Sequence, residues 1–198
     1  MRVTILDYGA GNLHSLAKAL DDRECQVRLE TDPVAALETD VLILPGVGAF
    51  GHAASRLAPA RTAIRAAIEG GLPCVGICLG MQLLFNESDE GDGPGLGVID
   101  GRVTRVRARR VPHIGWTTID DANDAAFERS PLDVAYYANG FACRPTHSDV
   151  VRAWSVHESD RFPAMVRAGS AVGLQFHPEK SSRAGVAFLR ALIREAQA

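Results

Sequence analysis

The chain has 198 residues, a mass of 21.2 kDa, a formal net charge of −3 and a mean hydropathy of zero. No apolar run approaches the roughly 18 residues of a membrane-spanning helix, and the slight acidity argues against bulk nucleic-acid binding, which favours a basic face. The apolar fraction of 46% and charged fraction of 23% are ordinary for a globular protein, and the length predicts a single domain over residues 1–198.

In chain order, Val3 to Leu6 is a short apolar strand ending at Asp7. Met1 leads straight into it without the apolar stretch and cleavage site of a signal peptide, and the four cysteines form no CxxC pair, so a reducing cytoplasm is the expected compartment. A turn over residues 8–12 precedes a helix from Leu13 to about Leu20, and Gln26 to Glu30 reads as a second strand. Val41 to Leu44 is continuously apolar, as expected of a strand buried on both faces, and runs into Pro45-Gly46-Val47-Gly48. A helix over about Ala53 to Glu69 is interrupted near Pro59; Cys74 to Ile77 is the next strand and Leu79 to Phe85 the next helix. This βαβα order predicts an α/β fold, with a mostly parallel central sheet flanked by helices.

The second half reads differently. Strands are predicted over Val98–Arg107, Thr117–Ile119, Val134–Tyr137, Val150–Val156, Ala164–Arg167 and Ala171–Phe176, with few helices between them. They imply an antiparallel extension of the sheet. The Gly-rich, acidic stretch Ser88 to Gly97 reads as a loop, and a helix over about Ser182 to Ala196 closes the chain. Period two would put Arg105, Arg107 and Arg109 on one strand face, either plainly solvated or suited to an acidic partner.

The sharpest local feature is Gly76-Ile77-Cys78-Leu79-Gly80, a Gly-x-Cys-x-Gly between a buried strand and a helix. It has the layout of a nucleophile elbow with cysteine as the nucleophile. A sharp turn there pushes the side chain out, flanking glycines remove clashing Cβ atoms, and the helix N-terminus offers N–H groups to an oxyanion. A small buried cysteine in a tight turn is the plainer alternative. A cysteine nucleophile needs an oriented base. Of six histidines, His177 sits at the end of an apolar strand, followed by Pro178 and by Glu179, two residues away and able to hold its ring. Strand ends gather on one edge of an α/β sheet, so Cys78 and His177 could meet there. Gly46 and its neighbours, also at a strand end, could turn N–H groups toward developing charge. Gly9-Ala10-Gly11 lacks the third glycine of a dinucleotide fingerprint.

Together, residues 7–12 (Asp-Tyr-Gly-Ala-Gly-Asn), 45–50 (Pro-Gly-Val-Gly-Ala-Phe), 76–84 around Cys78, 112–116 (Pro-His-Ile-Gly-Trp) and 175–181 (Gln-Phe-His-Pro-Glu-Lys-Ser) resemble the glutaminase subunits of imidazole glycerol phosphate synthase. These belong to the class I, triad, glutamine amidotransferases. The resemblance runs from about Arg2 to Ala196. It implies Cys78, His177 and Glu179 as the catalytic triad, with backbone of Gly46, Val47 and Leu79 holding the oxyanion. It further implies that Gln82, Glu90, Asn139, Gly140 and Phe141 hold glutamine, that Asn12, Trp116 and Lys180 lie at an interface with a (β/α)8-barrel cyclase subunit, and that no metal or cofactor takes part. Glutamine would be hydrolysed through a Cys78 thioester and the ammonia passed to the cyclase. One departure stands out: the family's Val-His-Ser/Thr-Tyr is here Ala138-Asn139-Gly140-Phe141, which removes hydroxyl contacts and predicts weaker glutamine affinity. The alternatives are an amidotransferase subunit of another synthase and a non-catalytic subunit that stabilises a barrel partner.

Overall fold

A computed structural model describes residues 1–9, 13–21, 24–46 and 48–195. The strands are β1 (Arg2–Leu6), β2 (Gln26–Glu30), β3 (Val41–Leu44), β4 (Cys74–Ile77), β5 (Glu87–Ser88), β6 (Gly101–Arg105), β7 (His113–Thr118), β8 (Val134–Asn139), β9 (Phe141–Pro145), β10 (Val151–His157), β11 (Asp160–Ala168) and β12 (Ala171–Leu174). The α-helices are α1 (His14–Leu20), α2 (Phe50–Leu57), α3 (Arg61–Glu69), α4 (Leu79–Leu83), α5 (Ala125–Arg129) and α6 (Ser182–Glu195).

The main sheet has seven strands in the order β10-β11-β12-β4-β3-β1-β2. From β2 to β12 all neighbours are parallel, and β12-β11-β10 continue antiparallel. The expected mostly parallel sheet with an antiparallel C-terminal extension is therefore present. β3, β4 and β12 are buried along their whole lengths, which is why they read as unbroken apolar runs. β2 is the edge, and its Leu29 is half exposed. No helix among the described residues is long and apolar enough to cross a membrane.

Several boundaries differ from expectation, each for a physical reason. The helix predicted from Ala53 begins at Phe50, and a 3₁₀ turn at Ala58–Ala60 divides it where Pro59 lacks an N–H. The strand predicted over Val98–Arg107 shrinks to Gly101–Arg105, because the Val98 and Ile99 N–H groups donate to Leu84 at 2.9 and 3.0 Å and hold that stretch on the end of α4. Beyond Arg105, the Arg107 N–H is taken by Asp160 at 2.8 Å, and those of Arg109 and Arg110 by Glu158, so Arg105, Arg107 and Arg109 share no strand face. Of the strand predicted over Thr117–Ile119, Thr117 and Thr118 are the end of a longer strand, β7, which pairs antiparallel with β8 from His113↔Asn139 to Thr118↔Val134, and Ile119 lies beyond it. β5, β9 and α5 are not announced by the sequence, and Ser88, expected to begin a loop, ends β5 by pairing with Val103 of β6. β5-β6-β9 and β7-β8 form two small separate sheets, not parts of the main one.

Candidate active site

The register of the main sheet builds the site. β4 lies between β3 and β12, with Leu174 opposite Ile77 and Leu44 opposite Gly76. The residues that follow β4 and β12 therefore emerge side by side on one sheet edge. Cys78 is the first residue after β4. Its backbone is at φ 49° and ψ −102°, a region non-glycine residues occupy only at a cost of about 1–3 kcal/mol. The turn is held by the Cys78 N–H donating to the Leu174 carbonyl at 2.6 Å and by the Gln82 N–H donating to the Cys78 carbonyl at 3.1 Å, the latter belonging to the first turn of α4.

The flanking glycines are required by close backbone approach. A Cβ on Gly76 would lie 2.5 Å from the Gly80 carbonyl oxygen, and one on Gly80 1.9 Å from that of Leu44. A Cβ on Gly46 would lie 2.4 Å from the Ile77 carbonyl oxygen. The loop after β3 thus lies directly on the strand that carries Cys78.

His177 follows β12 and is only 1% exposed. Its Nδ1 meets Glu179 Oε1 at 2.8 Å, across the 3₁₀ turn Pro178–Lys180. Burial alone would disfavour a charged ring, but the Cys78 sulfur and the Glu179 carboxylate outweigh it and raise His177 to about 9. Glu179 Oε2 is buried without a protein partner. The turn is fastened to β8 from both ends. The His177 N–H donates to the Tyr136 carbonyl at 2.9 Å. The fully buried Ser181 hydroxyl donates to the His177 carbonyl at 2.6 Å and accepts from the Tyr136 N–H at 2.8 Å.

Cys78, His177, Leu79, Gly46, Gly48, Gln82, Glu90, Asn139, Gly140, Phe141 and Lys180 share one cavity of about 160 Å³. That is room for one small ligand and not for a dinucleotide. A larger, more open groove along α6 holds Glu179 and Lys180 but not Cys78 or the His177 ring.

Three expected site residues have partners that narrow what they can do. The Gln82 Nε2 donates to the Phe141 carbonyl at 3.2 Å and lies 3.5 Å from Gln175 Oε1. Glu90 Oε2 accepts the Phe50 N–H at 3.0 Å, at the start of α2. Asn139 Nδ2 donates to the Phe141 carbonyl at 3.0 Å, while its Oδ1 is buried with no partner.

Trp116 stands outside the cavity on β7, 54% exposed, edge-on to Tyr136 at 6.0 Å between ring centres. Asn12 and Val47 lie outside the described residues. Two residues that carry no assigned role in the sequence reading belong to the site. Ser181 fastens the His177 turn, and the fully buried Gln175 directs its Nε2 at the Cys78 sulfur, 3.6 Å away. The signals for Gln175 are its place in the strand leading to His177 and in the segment 175–181 that carries the family resemblance.

The chain is similar to known proteins along nearly its whole length. The family model of glutamine amidotransferase class-I matches residues 4–195. The chain is 41% identical to "Imidazole glycerol phosphate synthase subunit HisH" of Symbiobacterium thermophilum, with 95% of this chain and 91% of that protein covered. It is 39% identical to the protein of the same name from Corynebacterium glutamicum, with 95% of each covered. Among solved structures, a glutamine amidotransferase crystal structure superposes with a TM-score of 0.78 at 20% identity over 99% of both chains. The structure of PurLQS from Thermotoga maritima gives a TM-score of 0.70 at 21% identity over 98% of both chains. At those identities the structural matches bear on the fold alone.

Proposed function

The chain belongs to the class-I glutamine amidotransferase family, and on that premise we propose that it is the glutaminase subunit of an imidazole glycerol phosphate synthase, acting in histidine biosynthesis in the cytoplasm as one domain. The observation that carries the reading is the line Cys78–His177–Glu179. It combines a cysteine in a strained elbow, a buried imidazole raised to about 9 by that cysteine and by a carboxylate, and the carboxylate 2.8 Å from its Nδ1.

In this reading the Cys78 sulfur attacks the side-chain carbonyl carbon of glutamine. The carbonyl oxygen becomes an oxyanion, held by the Leu79 N–H and by N–H groups of the Gly46-Val47 loop. Glu179 fixes the tautomer and orientation of His177, which receives the thiol proton and delivers it to the departing amide nitrogen as the C–N bond breaks. Ammonia leaves and a γ-glutamyl thioester remains. Water, deprotonated by His177, then attacks the thioester; the C–S bond breaks and glutamate and the thiol are restored. Gln82, Glu90, Asn139, Gly140 and Phe141 hold the substrate, and no metal or cofactor enters any step. Ammonia passes to a (β/α)8-barrel cyclase subunit that makes imidazole glycerol phosphate and an aminoimidazole carboxamide ribonucleotide. Asn12, Trp116 and Lys180 meet that subunit; the exposed Trp116 and Ile114 on β7 support an interface there.

The test is glutamate release by the chain alone, with the cyclase subunit, and with the cyclase subunit plus its nucleotide ligand. Turnover that requires the cyclase and rises with its ligand supports the reading. Turnover with no response to the cyclase points to a different synthase. No turnover under any condition, with co-purification of the two chains intact, points to the non-catalytic alternative, which the Asn139-Gly140 departure supports and the intact Cys78, His177 and Glu179 argue against.

A further inference from the structure

The segment between β3 and α2 contributes Gly46 and Gly48 to the cavity, and side chains from elsewhere hold it at both ends. At its start, the Tyr8 hydroxyl donates to the Pro45 carbonyl. Tyr8 follows β1 and is 3% exposed. Burial, and then the nearness of Cys78, push its phenol well above the ordinary value, so it stays protonated as a donor. At the segment's end, Glu90 accepts the Phe50 N–H. That N–H is one a helix cannot satisfy internally, and no side chain at the preceding position, Ala49, caps it.

The Pro45 carbonyl and the Gly46 N–H belong to one peptide unit. The unit is planar, and its C=O and N–H point in opposite directions. A hydroxyl that fixes the Pro45 oxygen therefore fixes the direction of the Gly46 N–H, and the peptide cannot turn over without breaking the Tyr8 bond. The loop that carries Glu90 is itself seated by backbone approach. A Cβ on Gly91 would lie 3.0 Å from the Gly51 nitrogen, and one on Gly51 3.2 Å from the Asp92 oxygen. Glu90 thus reaches Phe50 from a docked segment, not from a free side-chain excursion.

We infer that Tyr8 and Glu90 are positioning residues for the oxyanion loop, Tyr8 setting the Pro45–Gly46 peptide plane and Glu90 anchoring the far end at Phe50. The inference rests on the amidotransferase reading. It assigns a role to Tyr8 that the sequence reading left empty, and it gives Glu90 a task besides holding glutamine.

The experiment measures steady-state glutamine hydrolysis by the chain with the cyclase subunit and, in parallel, the rate of Cys78 alkylation by iodoacetamide, which forms no oxyanion. Tyr8→Phe keeps the ring and deletes the hydroxyl. It is expected to lower kcat on the order of 10-fold, with glutamine KM within about twofold and alkylation unchanged. Glu90→Ala is expected to lower kcat as well, and Glu90→Gln, whose amide oxygen still accepts the Phe50 N–H, to recover most of that loss. Unchanged kcat in Tyr8→Phe overturns the inference. So does a fall in alkylation that parallels the fall in kcat, since that marks a general disturbance of the site. If Tyr8→Phe does not fold, the Glu90→Ala and Glu90→Gln pair decides: equal kcat in those two overturns the role of the anchor. Absence of hydrolysis by the unmodified chain with the cyclase subunit overturns the amidotransferase reading itself, and this inference with it.

Discussion

The cavity has two unlike walls. The wall made by β3, β4 and α4 is built from segments whose backbones touch: Gly46 on Ile77, Gly76 on Gly80, Gly80 on Leu44. The wall made by β8 and β9 comes from a small two-strand sheet and a three-strand sheet, and it leaves the Asn139 Oδ1 buried without a partner. The first wall is over-determined, because almost any added atom collides with main chain. The second is under-determined and keeps polar capacity unused. The difference lies in what fixes each wall: close main-chain approach sets the elbow wall, while the β8–β9 wall also ties down the His177 turn through Tyr136 and still holds an unused acceptor.

The elbow wall should break most severely at the nucleophile. Cys78→Ala is expected to lower glutamine hydrolysis on the order of 10³-fold or more, since the other members of a catalytic unit cannot replace its nucleophile. A glutamate-release assay reads this directly. Cys78→Gly should be equally inactive but more stable than Cys78→Ala by about 1 kcal/mol, because glycine adopts a positive φ without strain. Urea denaturation of the two variants checks the order, and the reverse order would mean that the elbow stores no strain.

A second blow to the same wall needs no catalytic atom. Gly80→Ala forces a Cβ to within 1.9 Å of the Leu44 oxygen, which only a backbone shift can relieve. A loss of about 3 kcal/mol is expected, near the upper end for overpacking. A glycine-to-alanine change at Gly71, where nothing lies within 4 Å of the added atom although φ is +104°, separates clash from backbone strain. If both variants melt alike, close approach is not what fixes the elbow.

The line from Cys78 to Glu179 spans the neighbouring ends of β4 and β12, and its electrostatics can be titrated. His177 stands at about 9, above the free value of roughly 6.5, so its stabilisation is complete below pH 6.5 and is lost as pH rises through 9. Glu179→Gln removes one of the two groups that raise it. The midpoint of the His177 ring, followed by NMR, should fall, and the stability window should narrow from its alkaline side. The rate is expected to drop by roughly 10²-fold, as for a general acid–base whose orienting carboxylate is lost.

How much of this was legible in the sequence follows the same division. Residues 76–80 form an elbow from their own order, because strand, turn and helix start are all local. The buried strands showed themselves as apolar runs, and with them the parallel half of the sheet and its antiparallel continuation. What failed to show depends on pairing between distant segments. β9 follows β8 after a single residue, Gly140, and its partner is β6, so no local turn announces it. Ser181 matters only because Tyr136 lies against it. Glu90 read as a substrate ligand, yet its clearest partner is the Phe50 backbone. The arginine stretch kept its alternation past the point where the ladder stops, because periodicity carries no information about where Asp160 and Glu158 will capture the main chain.

The β8–β9 wall should respond most gently, and its response decides whether the departure at Asn139-Gly140 is a loss or an adaptation. Asn139 already spends its Nδ2 on the Phe141 carbonyl and keeps Oδ1 for a donor, while Gly140 has no side chain and gives its carbonyl to the Val106 N–H at 2.9 Å. Replacing Asn139-Gly140 by His-Ser restores the family's residue types, including one hydroxyl. A Cβ on Gly140 would meet only Val111 and Pro112, at 3.7 and 3.9 Å, so the serine fits without a clash. One added hydrogen bond is worth about 0.5–1.5 kcal/mol, which corresponds to a fall in glutamine KM of roughly 2- to 10-fold. kcat should hold, because no atom of the Cys78–His177–Glu179 line is moved. A lower KM at constant kcat means that this chain trades glutamine affinity for something else on that wall. An unchanged or higher KM means that Asn139 Oδ1 already supplies the missing contact, and the two walls would then be equally committed to glutamine.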